Sequence, residues 1–426
     1  MLDDFKSGKS KSKLPVKEEK PMPEIEAKEP EPDIEVNIDK DNNLSDLIAP
    51  DTAENKEAVV GSVPPKSKKK GRFKAMLNWK SFSKKKKILV ICGGVILLLL
   101  IVGGVILLTD RSHPKQAAIY KVVKPKPVTY ISRLTGLPVS QAQSVLPVTG
   151  IMIENLDAAR PQSGLSAAGV VFEAVAEGGI TRFLALYEDQ EPSSVGPIRS
   201  ARPYYVDWLL GFDAAYAHVG GSPDGLAAIA SLHVKDLDQF YNGSSYTRIT
   251  SRPAPHNVYT SLADLISLED SKGYKTSTFT GFPRKADQPS KTPSATSIDF
   301  TPSSVDYSVH YDYDSSLNSY KRSEGEAPQV DANTNKQLEP KVVIGIVVPQ
   351  SQGALDASGA YYTEYQDIGS GTADVFQDGT VTQGTWVKTA PTSQIQFLDA
   401  AGKPIDLNAG QTWITVLGSA NEISYK

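Results

Sequence analysis

The chain has 426 residues, and 45 Lys and Arg residues against 49 Asp and Glu residues give it a formal net charge of −4. The charges form opposing blocks, so the small net charge says little about binding partners. The single cysteine, Cys92, excludes a disulfide framework, so any folded region must be stabilised by its own apolar core.

The first 87 residues have the composition of a disordered tail followed by a basic segment. Residues 1–65 are rich in Glu, Asp, Lys and Pro, so they cannot bury enough apolar area to offset the entropy of ordering. From Lys66 to Lys87 there are many Lys and Arg residues and no Asp or Glu. This basic segment directly precedes an apolar run that begins at Ile88 and is predicted to cross a membrane, so we call it juxtamembrane. It has two possible roles: it sets the orientation of the run in the membrane, or it also binds anionic lipid headgroups. The acidic residues beside it compete for its charges, which argues against nucleic-acid binding.

An uncharged apolar run begins at Ile88 and ends at Leu108. About 20 such residues cross the hydrocarbon core of a bilayer as a helix. The dense basic charge before the run places residues 1–87 in the cytoplasm and residues 109–426 outside. The run is too long, and begins too late, for a cleaved signal peptide. We therefore expect a single-pass protein of the cell membrane with an extracytoplasmic main domain.

The outer region begins with a stalk and continues with mixed helix and strand signals. Residues 109–129 contain Lys and Pro and lack periodicity, as in a stalk. Residues 130–270 alternate short apolar runs with helical patterns. The predicted strands are 150–153, 170–176, 183–187 and 214–219. The predicted helices are 204–210, 226–232 and one after Ser261, which suits an N-cap with Asp264 three residues later.

The second part of the outer region is predicted to be mostly β. Residues 271–296 are rich in Lys, Ser, Thr and Pro and indicate a linker or a long surface loop. In residues 297–426, Asp378-Gly379 between two apolar runs is a hairpin signal. The predicted strands are 309–313, 342–348, 374–376, 381–386, 395–398 and 413–417. The outer region as a whole is therefore expected to have an α+β fold.

In the first half of the outer region, residues 141–271, most basic residues are Arg, whereas the rest of the outer region has more Lys. Between residues 141 and 271 the only Lys is Lys235. The six arginines there are Arg160, Arg182, Arg199, Arg202, Arg248 and Arg252. A guanidinium offers a planar fork to a carboxylate or phosphate and tolerates partial burial. Two explanations stay open: internal pairing with Glu154, Glu173 and Glu177, or a site for an anionic ligand.

The segment from His218 to Gly225 has the pattern of a strand, a glycine loop and a helix start. Ser222 suits the N-cap, and a proline follows it at the first helical position. The backbone amides of Gly220, Gly221 and Ser222 could cradle an anion at such a helix start. An ordinary capped turn explains the same residues.

The sequence contains no catalytic or metal-binding signature that we recognise. The outer histidines lack the H-E-x-x-H spacing, and Ser200 is not in a G-x-S-x-G turn. Glu173 and Glu177 on one face of a strand would lie roughly 13 Å apart. A glycosidase pair needs roughly 5–9.5 Å. We predict no cofactor and no metal, and whether the protein is an enzyme stays open.

Seven short motifs in the outer region form a recognisable set. They are TGLPV at 135–139, IMIEN at 151–155, ARPQSGL at 159–165, EGGITRF at 177–183, GPIRSARP at 196–203, HVGGS at 218–222 and APHNVY at 254–259. This set resembles the YerB-like family of bacterial lipoproteins, whose domain has no known function. GTW at 384–386 and GQTWI at 410–414 extend the resemblance more loosely.

The resemblance implies a bacterial extracytoplasmic α+β domain, which we expect to be a layered β-β-α sandwich. This chain departs from the family in its anchor, because it has a transmembrane helix instead of a lipidated cysteine. The family brings no established reaction, so no catalytic residue can be carried over.

The family motifs and the preference for Arg over Lys in residues 141–271 together predict one site. The predicted ligand-binding residues are Glu154, Asn155, Arg160, Arg182, Arg199, Arg202, His218, Gly220, Gly221, Ser222, His256 and Asn257. The first hypothesis is that this site binds an anionic cell-envelope polymer, such as a glycan, or an envelope protein. The alternative is a hydrolase of envelope glycan or peptide that uses a carboxylate with His218 or His256.

Overall fold

A computed structural model describes residues 83–109 and 128–426. The predicted disordered tail, residues 66–82 of the basic segment and residues 110–127 of the predicted stalk lie outside the described residues. The apolar helix and the folded domain belong to separate structural units.

The first described element is the helix α1 (Lys84–Thr109), which contains the whole predicted apolar run. It has 26 residues, and a helix of that length extends about 39 Å. Its span Lys84–Leu108 is long and apolar enough to cross a membrane, as judged by length and composition alone. The helix begins four residues before the predicted run, so the four lysines from Lys84 to Lys87 form its first turn.

Residues 128–426 fold into a mixed α+β domain that is mostly sheet, and the predicted α+β class is thereby confirmed. The helices of this domain are α2 (Pro203–Leu210), α3 (Pro223–Ser231) and α4 (Leu262–Lys272). The strands of the first part are β1 (Tyr130–Ile131), β2 (Pro138–Val139), β3 (Thr149–Glu154), β4 (Val170–Glu177), β5 (Ile180–Tyr187), β6 (Ala215–Ala217), β7 (Lys235–Asp236), β8 (Thr247–Arg248), β9 (Val258–Tyr259) and β10 (Arg284–Lys285). Those of the second part are β11 (Ser297–Phe300), β12 (Val309–Asp314), β13 (Ser319–Glu324), β14 (Ala327–Pro328), β15 (Val330–Asp331), β16 (Lys336–Gln337), β17 (Val342–Val347), β18 (Gln350–Leu355), β19 (Tyr361–Tyr365), β20 (Gly369–Gln377), β21 (Thr380–Lys388), β22 (Gln396–Leu398), β23 (Leu407–Asn408), β24 (Thr412–Leu417) and β25 (Ile423–Tyr425).

The two halves of the domain share one sheet. Its strand order is β22-β21-β20-β17-β24-β4-β5-β3-β6-β7, and the hairpin β18–β19 is attached to β4. The junction is the parallel pair β24–β4, in which Thr412 is opposite Val170 and Thr415 is opposite Glu173. Strand β24 also pairs in parallel with β17 on its other side. The last long strand of the chain therefore lies inside the sheet between the two halves.

Both faces of this main sheet are covered. On one face, Phe172 of β4 stacks on Trp208 of α2 with ring centroids 5.4 Å apart, in a core that includes Ile344 and Ile414. On the other face, Phe183 and Trp413 pack in a core with residues of α4. A second sheet, in the order β14-β13-β12-β11-β25, shares a further core with β17 and β20 of the main sheet. These contacts leave both faces of β4 buried.

The predicted helix caps are confirmed. The Ser222 side chain accepts a hydrogen bond from Gly225 N at 3.1 Å, and the Ser261 side chain accepts one from Asp264 N at 3.1 Å. Each bond satisfies an amide that has no partner within its helix. Gly273 ends α4 with φ +78°, a conformation that favours glycine.

Residues 271–296, predicted to be a linker or loop, are bonded to the rest of the domain. Beyond the end of α4 at Lys272 they form only the two-residue strand β10, which pairs with β23. The Arg284 guanidinium donates to Asn408 O at 2.9 Å and to Thr412 Oγ1 at 3.0 Å. Burial lowers the pKa of Arg284 to about 10. The segment is therefore a fixed connection between the halves.

Candidate functional site

Backbone hydrogen bonds bring four of the sequence motifs to one end of the main sheet. Arg199 N donates to Met152 O of β3 at 2.8 Å, and Val219 N donates to Arg199 O at 3.0 Å. Ile198 N donates to Val258 O of β9 at 2.8 Å. Residues 196–202 thus connect the end of β3 with the His218 loop and with the segment that carries His256.

A β-bulge in β4 puts Glu173 and Glu177 on opposite faces of the sheet. Strand β4 pairs with β5 in regular register up to Val175, but Glu177 is opposite Ile180 because one extra residue is inserted. Side chains alternate along a strand, so one extra residue reverses the alternation. The expectation that both glutamates lie on one face is therefore wrong. Glu177 instead shares a face with Arg182.

Glu177 is the counter-ion of two arginines. Its Oε2 accepts a hydrogen bond from Arg202 Nη2 at 2.6 Å, and its Oε1 accepts one from Arg182 Nη2. Arg182 Nη1 also donates to Ser200 O at 2.9 Å, and Arg202 Nη1 donates to Ala201 O at 2.6 Å. Both guanidinium groups are therefore held in fixed positions below the surface.

Arg199 completes a group that we call the arginine cluster: Arg182, Arg199 and Arg202 with Glu154 and Glu177. Arg199 Nε lies 3.1 Å from Glu154 Oε1, but without the angle of a hydrogen bond. The Arg199 side chain is 24% exposed. Within residues 83–109 and 128–426 its guanidinium donates no hydrogen bond. Arg199 is thus the arginine of the cluster that an outside ligand can reach.

The arginine cluster carries an excess of positive charge. Three guanidinium groups face two carboxylates, which leaves one net positive charge when His256 is neutral. Burial, and then repulsion from Arg202, lowers the pKa of Arg182 to about 10. A bound anion would relieve this repulsion and could accept paired hydrogen bonds.

Next to Arg199, His256 contacts the same carboxylate. Its Nδ1 lies 2.9 Å from Glu154 Oε1, and its side chain is 15% exposed. Its Nε2 forms no hydrogen bond within the described part of the chain. Glu154 Oε2 is buried and also has no hydrogen-bond partner there. The pair therefore offers a partly exposed imidazole nitrogen beside the Arg199 guanidinium, which is ion-paired with Glu154 but donates no hydrogen bond in the described chain.

Comparison with known proteins gives the family. The family model "Protein of unknown function (DUF3048)" matches through its N-terminal domain at residues 134–275 and through its C-terminal domain at residues 298–414. A Bacillus subtilis protein named "Putative lipoprotein YerB" is 33% identical over 290 residues, which are 67% of this chain and 85% of that protein. The chain belongs to the YerB-like family.

A crystal structure of the YerB protein from Bacillus subtilis has the same fold. It matches with a TM-score of 0.62 and 29% sequence identity, over 70% of this chain and 99% of that chain. The YerB-like family has no established function. The chemistry of this member must therefore be deduced from its own side chains.

Two predicted members of the site, Asn155 and Arg160, belong to a different network. Arg160 Nη2 lies 3.2 Å from Glu324 Oε1 and donates to Asp306 O at 3.0 Å. Asn155 Nδ2 donates to Thr181 Oγ1 at 2.6 Å. Asn155 comes directly after Glu154, the last residue of β3, and its bonds to Thr181 and Glu324 place its side chain on the opposite face of the sheet. The prediction that Arg160 joins the other three arginines is therefore wrong.

His218 is also bonded elsewhere. It is buried, with Nδ1 2.8 Å from Gly220 O and Nε2 3.0 Å from Asp236 Oδ1. Burial raises the pKa of Asp236, but the hydrogen bond and charge of His218 outweigh this and lower it overall. In the described residues no hydrogen bond or ion pair joins His218 to the arginines, so its ring is not part of the arginine cluster.

The glycine loop uses most of its polar groups internally. Gly220 N donates to Asp238 Oδ1 at 2.9 Å, and Ser222 N donates to Ala201 O at 3.2 Å. Gly221 lies beside Ala201 in a parallel bridge. The loop therefore does not present three open amides to an anion, and it acts as a support for residues 199–202.

Asn257 holds its own loop together. Its Oδ1 accepts a hydrogen bond from Arg248 Nη1 at 3.0 Å, and its Nδ2 donates to Ile249 O at 3.3 Å. Arg252 similarly donates to Pro161 O at 2.8 Å. These contacts fix the segment that carries His256, so Asn257 is a support of the site.

Sequence reasoning missed a buried network on the opposite face of the sheet. Arg322 of β13 bonds Glu173 and donates to Tyr311 OH at 2.6 Å. Glu324 lies two residues further on the same strand, and burial raises its pKa. The partners are far apart along the chain, so no local pattern could have indicated them. In the described residues, no group of three His, Cys, Asp or Glu side chains is arranged to hold a metal ion.

Proposed function

We propose that the folded domain binds an anionic cell-envelope polymer at the arginine cluster. The main support is Arg199, whose guanidinium is partly exposed and donates no hydrogen bond among the described residues. Arg182 and Arg202 behind it are already fixed on Glu177, so binding an anion would require little reordering. The net positive charge of the cluster favours a negatively charged ligand.

We also propose that α1 crosses the cell membrane once and tethers a layered β-β-α domain on the outer side. The length and apolar composition of Lys84–Leu108 support a membrane span. The dense basic charge from Lys66 to Lys87 favours the cytoplasm for the N-terminal side. The lipoprotein name of the Bacillus subtilis relative also agrees with a domain held at the membrane. A polymer of the envelope would then be within reach of the domain.

The test is a comparison of anion binding by two charge-removing variants of the full-length protein. We expect sulfate to raise the melting temperature of the wild type more than chloride does at equal ionic strength. Arg199→Gln should lose most of this difference, because it removes the partly exposed guanidinium of the cluster. Lys403→Gln removes one positive charge from an exposed site of the second half and should behave like the wild type. Equal sulfate responses of all three proteins would refute the proposal.

The variant Arg199→Lys tests whether the site recognises an anion by positive charge alone or by paired hydrogen bonds as well. Lysine keeps the positive charge but lacks the planar fork that binds two oxygens at once. We expect its sulfate response to fall between those of the wild type and Arg199→Gln. A response equal to that of the wild type would mean that charge alone, and not paired hydrogen bonds, is recognised.

Hydrolysis of the polymer is the second candidate function, and the Glu154–His256 pair favours it. A carboxylate that holds one imidazole nitrogen leaves the other free to take a proton from water. No hydroxyl or thiol is hydrogen-bonded to His256 within residues 128–426, so water would be the nucleophile. Release of new chain ends from purified envelope glycan, lost in His256→Gln while sulfate binding persists, would support this function. Binding without release of chain ends would leave the protein as a binding module.

A further inference from the structure

A groove of about 480 Å³ lies at the turn between β4 and β5. One side is formed by Gly178 and Gly179 of that turn, and the other by the hairpin β18–β19. Gly179 has φ +80°, and a Cβ there would lie 2.7 Å from Ser303 Oγ, which also lines the groove. A side chain at Gly179 would therefore intrude on this end of the groove.

Tyr362 lines the groove and also contacts Arg202 of the arginine cluster. The Arg202 guanidinium carbon lies 4.9 Å from the centre of the Tyr362 ring. Tyr362 lines the groove and is opposite Glu177 in the pairing of β19 with β4. Gly178, the next residue after Glu177, donates its amide to Tyr361 O at 3.1 Å. A ligand in the groove would therefore be separated from the Arg202 guanidinium by the Tyr362 ring.

The lining of the groove is uncharged and rich in unused polar groups. It contains no Lys, Arg, Asp or Glu. The polar side chains that line it and form no hydrogen bond within the described chain include Ser303, Gln350, Ser351, Gln352, Tyr361 and Thr363. Residue Tyr361 is 49% exposed. An aromatic face beside amide and hydroxyl groups fits a sugar ring, which has apolar C–H faces and a rim of hydroxyl groups.

We propose that this groove binds the uncharged part of sugar units in a glycan whose acidic groups reach the arginine cluster. The inference rests on the proposed function and specifies its ligand. Neutral sugar faces pack on Tyr361, while a carboxylate or phosphate on the same chain is bound by Arg199 beside Arg202. The ligand class is therefore an acidic glycan, in preference to a bare polyphosphate or a peptide.

The experiment uses the full-length protein in nanodiscs of zwitterionic lipid with two probes. One probe is peptide-free glycan strands of alternating N-acetylglucosamine and N-acetylmuramic acid, which carry lactyl carboxylates. The other is chitotetraose, which has a similar backbone without the acid. We expect the wild type to bind the acidic strands more tightly than chitotetraose. Tyr361→Ala should weaken binding of both probes by roughly tenfold through loss of ring packing.

Tyr241→Ala is the matched control. Tyr241 is 84% exposed and lies on the loop after β7, outside the groove. It should leave binding of both probes unchanged. Gln352→Ala is the second groove variant, and it should also weaken binding if Tyr361→Ala does not fold.

The outcomes separate this inference from the proposed function. If sulfate still stabilises the protein through Arg199 but neither groove variant weakens glycan binding, the groove inference is wrong. It is also wrong if the wild type binds peptides but not the glycan strands. If sulfate has no Arg199-dependent effect while Tyr361→Ala still weakens chitotetraose binding, the proposed anion site is wrong and the sugar groove stands.

Discussion

Arg322 Nη2 lies 3.0 Å and 2.9 Å from the two carboxylate oxygens of Glu173, and both side chains are fully buried. Glu173 belongs to β4 of the first half and Arg322 to β13 of the second. The guanidinium also lies over the Trp413 ring, 4.3 Å from its centre. Burial lowers the pKa of Arg322, but the charge of Glu173 outweighs this and raises it overall. This ion pair joins the two halves inside the protein.

Removal of one partner of this pair should be costly. We expect Arg322→Met to lower the free energy of unfolding by about 3–5 kcal/mol, because it leaves the Glu173 carboxylate buried without a counter-ion. The double variant Glu173→Leu with Arg322→Met should recover much of that loss. Denaturant unfolding of the four proteins of this cycle measures the coupling. A loss below about 1 kcal/mol in Arg322→Met would contradict a dry, paired site.

The folded domain should unfold as one unit. Strand β24 pairs with β17 on one side and with β4 on the other, so neither half keeps a complete sheet alone. We expect variants that retain only Trp208 or only Trp386 among the tryptophans of the domain to report the same denaturant midpoint by fluorescence. Two separate midpoints would indicate independently folded halves.

The stability of the domain should fall as the pH rises from about 4.5 to about 7, in part because of Glu269. Burial raises the pKa of this carboxyl to about 7, while Thr149 Oγ1 donates to it at 2.5 Å. A raised carboxyl pKa means that the folded state binds the proton more tightly. The stabilisation is then fully present below the unfolded pKa and is lost as the pH rises through the folded pKa.

Glu269→Gln tests this pH dependence. It should reduce the loss of stability between pH 5 and pH 8 by on the order of 1–3 kcal/mol. Glu326→Gln, at an exposed turn, should keep the pH profile of the wild type. Thermal unfolding across this pH range gives both profiles, and an unchanged slope in Glu269→Gln would exclude that group as a source.

Glu177→Gln should make the arginine cluster more dependent on an added anion. The change removes the negative charge shared by Arg182 and Arg202, whose mutual repulsion then has no compensation. We expect a loss of about 1–3 kcal/mol without added anion and a larger sulfate-induced rise in melting temperature than in the wild type. Differential scanning calorimetry with and without sulfate measures both. A smaller sulfate effect would indicate that Glu177 does not compete with the ligand.

The domain should lie outside the cell. With one tag at each end of the full-length chain, protease added to intact protoplasts should remove the C-terminal tag and spare the N-terminal one. The charge asymmetry around α1 is the physical reason. Permeabilised protoplasts, in which both tags should be lost, are the control. Protection of the C-terminal tag in intact protoplasts would reverse the proposed orientation.

The sequence alone determined the features that depend on neighbouring residues. The run from Ile88 to Leu108 is recognisable as an apolar helix because its uncharged residues are continuous in the sequence. Ser222 and Ser261 were predicted as caps because each bonds an amide three residues away. The hairpin at Asp378-Gly379 has the same local origin, with Gln377 opposite Thr380.

Only the tertiary structure decided which of the predicted site residues meet. The bulge before Glu177 adds one residue to β4, and this turns that carboxylate towards Arg182 and away from Glu173. Arg160 also belongs to one of the sequence motifs, yet it bonds Asn155, whose side chain lies on the opposite face of the sheet. A one-residue change in register reverses the face of every later side chain on a strand, and the sequence pattern does not reveal it.

The sequence also did not predict which strands of the two halves pair with each other. Val170 and Thr412 are neighbours in the sheet although most of the domain separates them along the chain. Strands β18 and β19 were not predicted, because β18 is mostly exposed and so has no apolar alternation. Pairing of distant strands is selected by the fit of the whole core, whereas sequence patterns report only on a few adjacent residues.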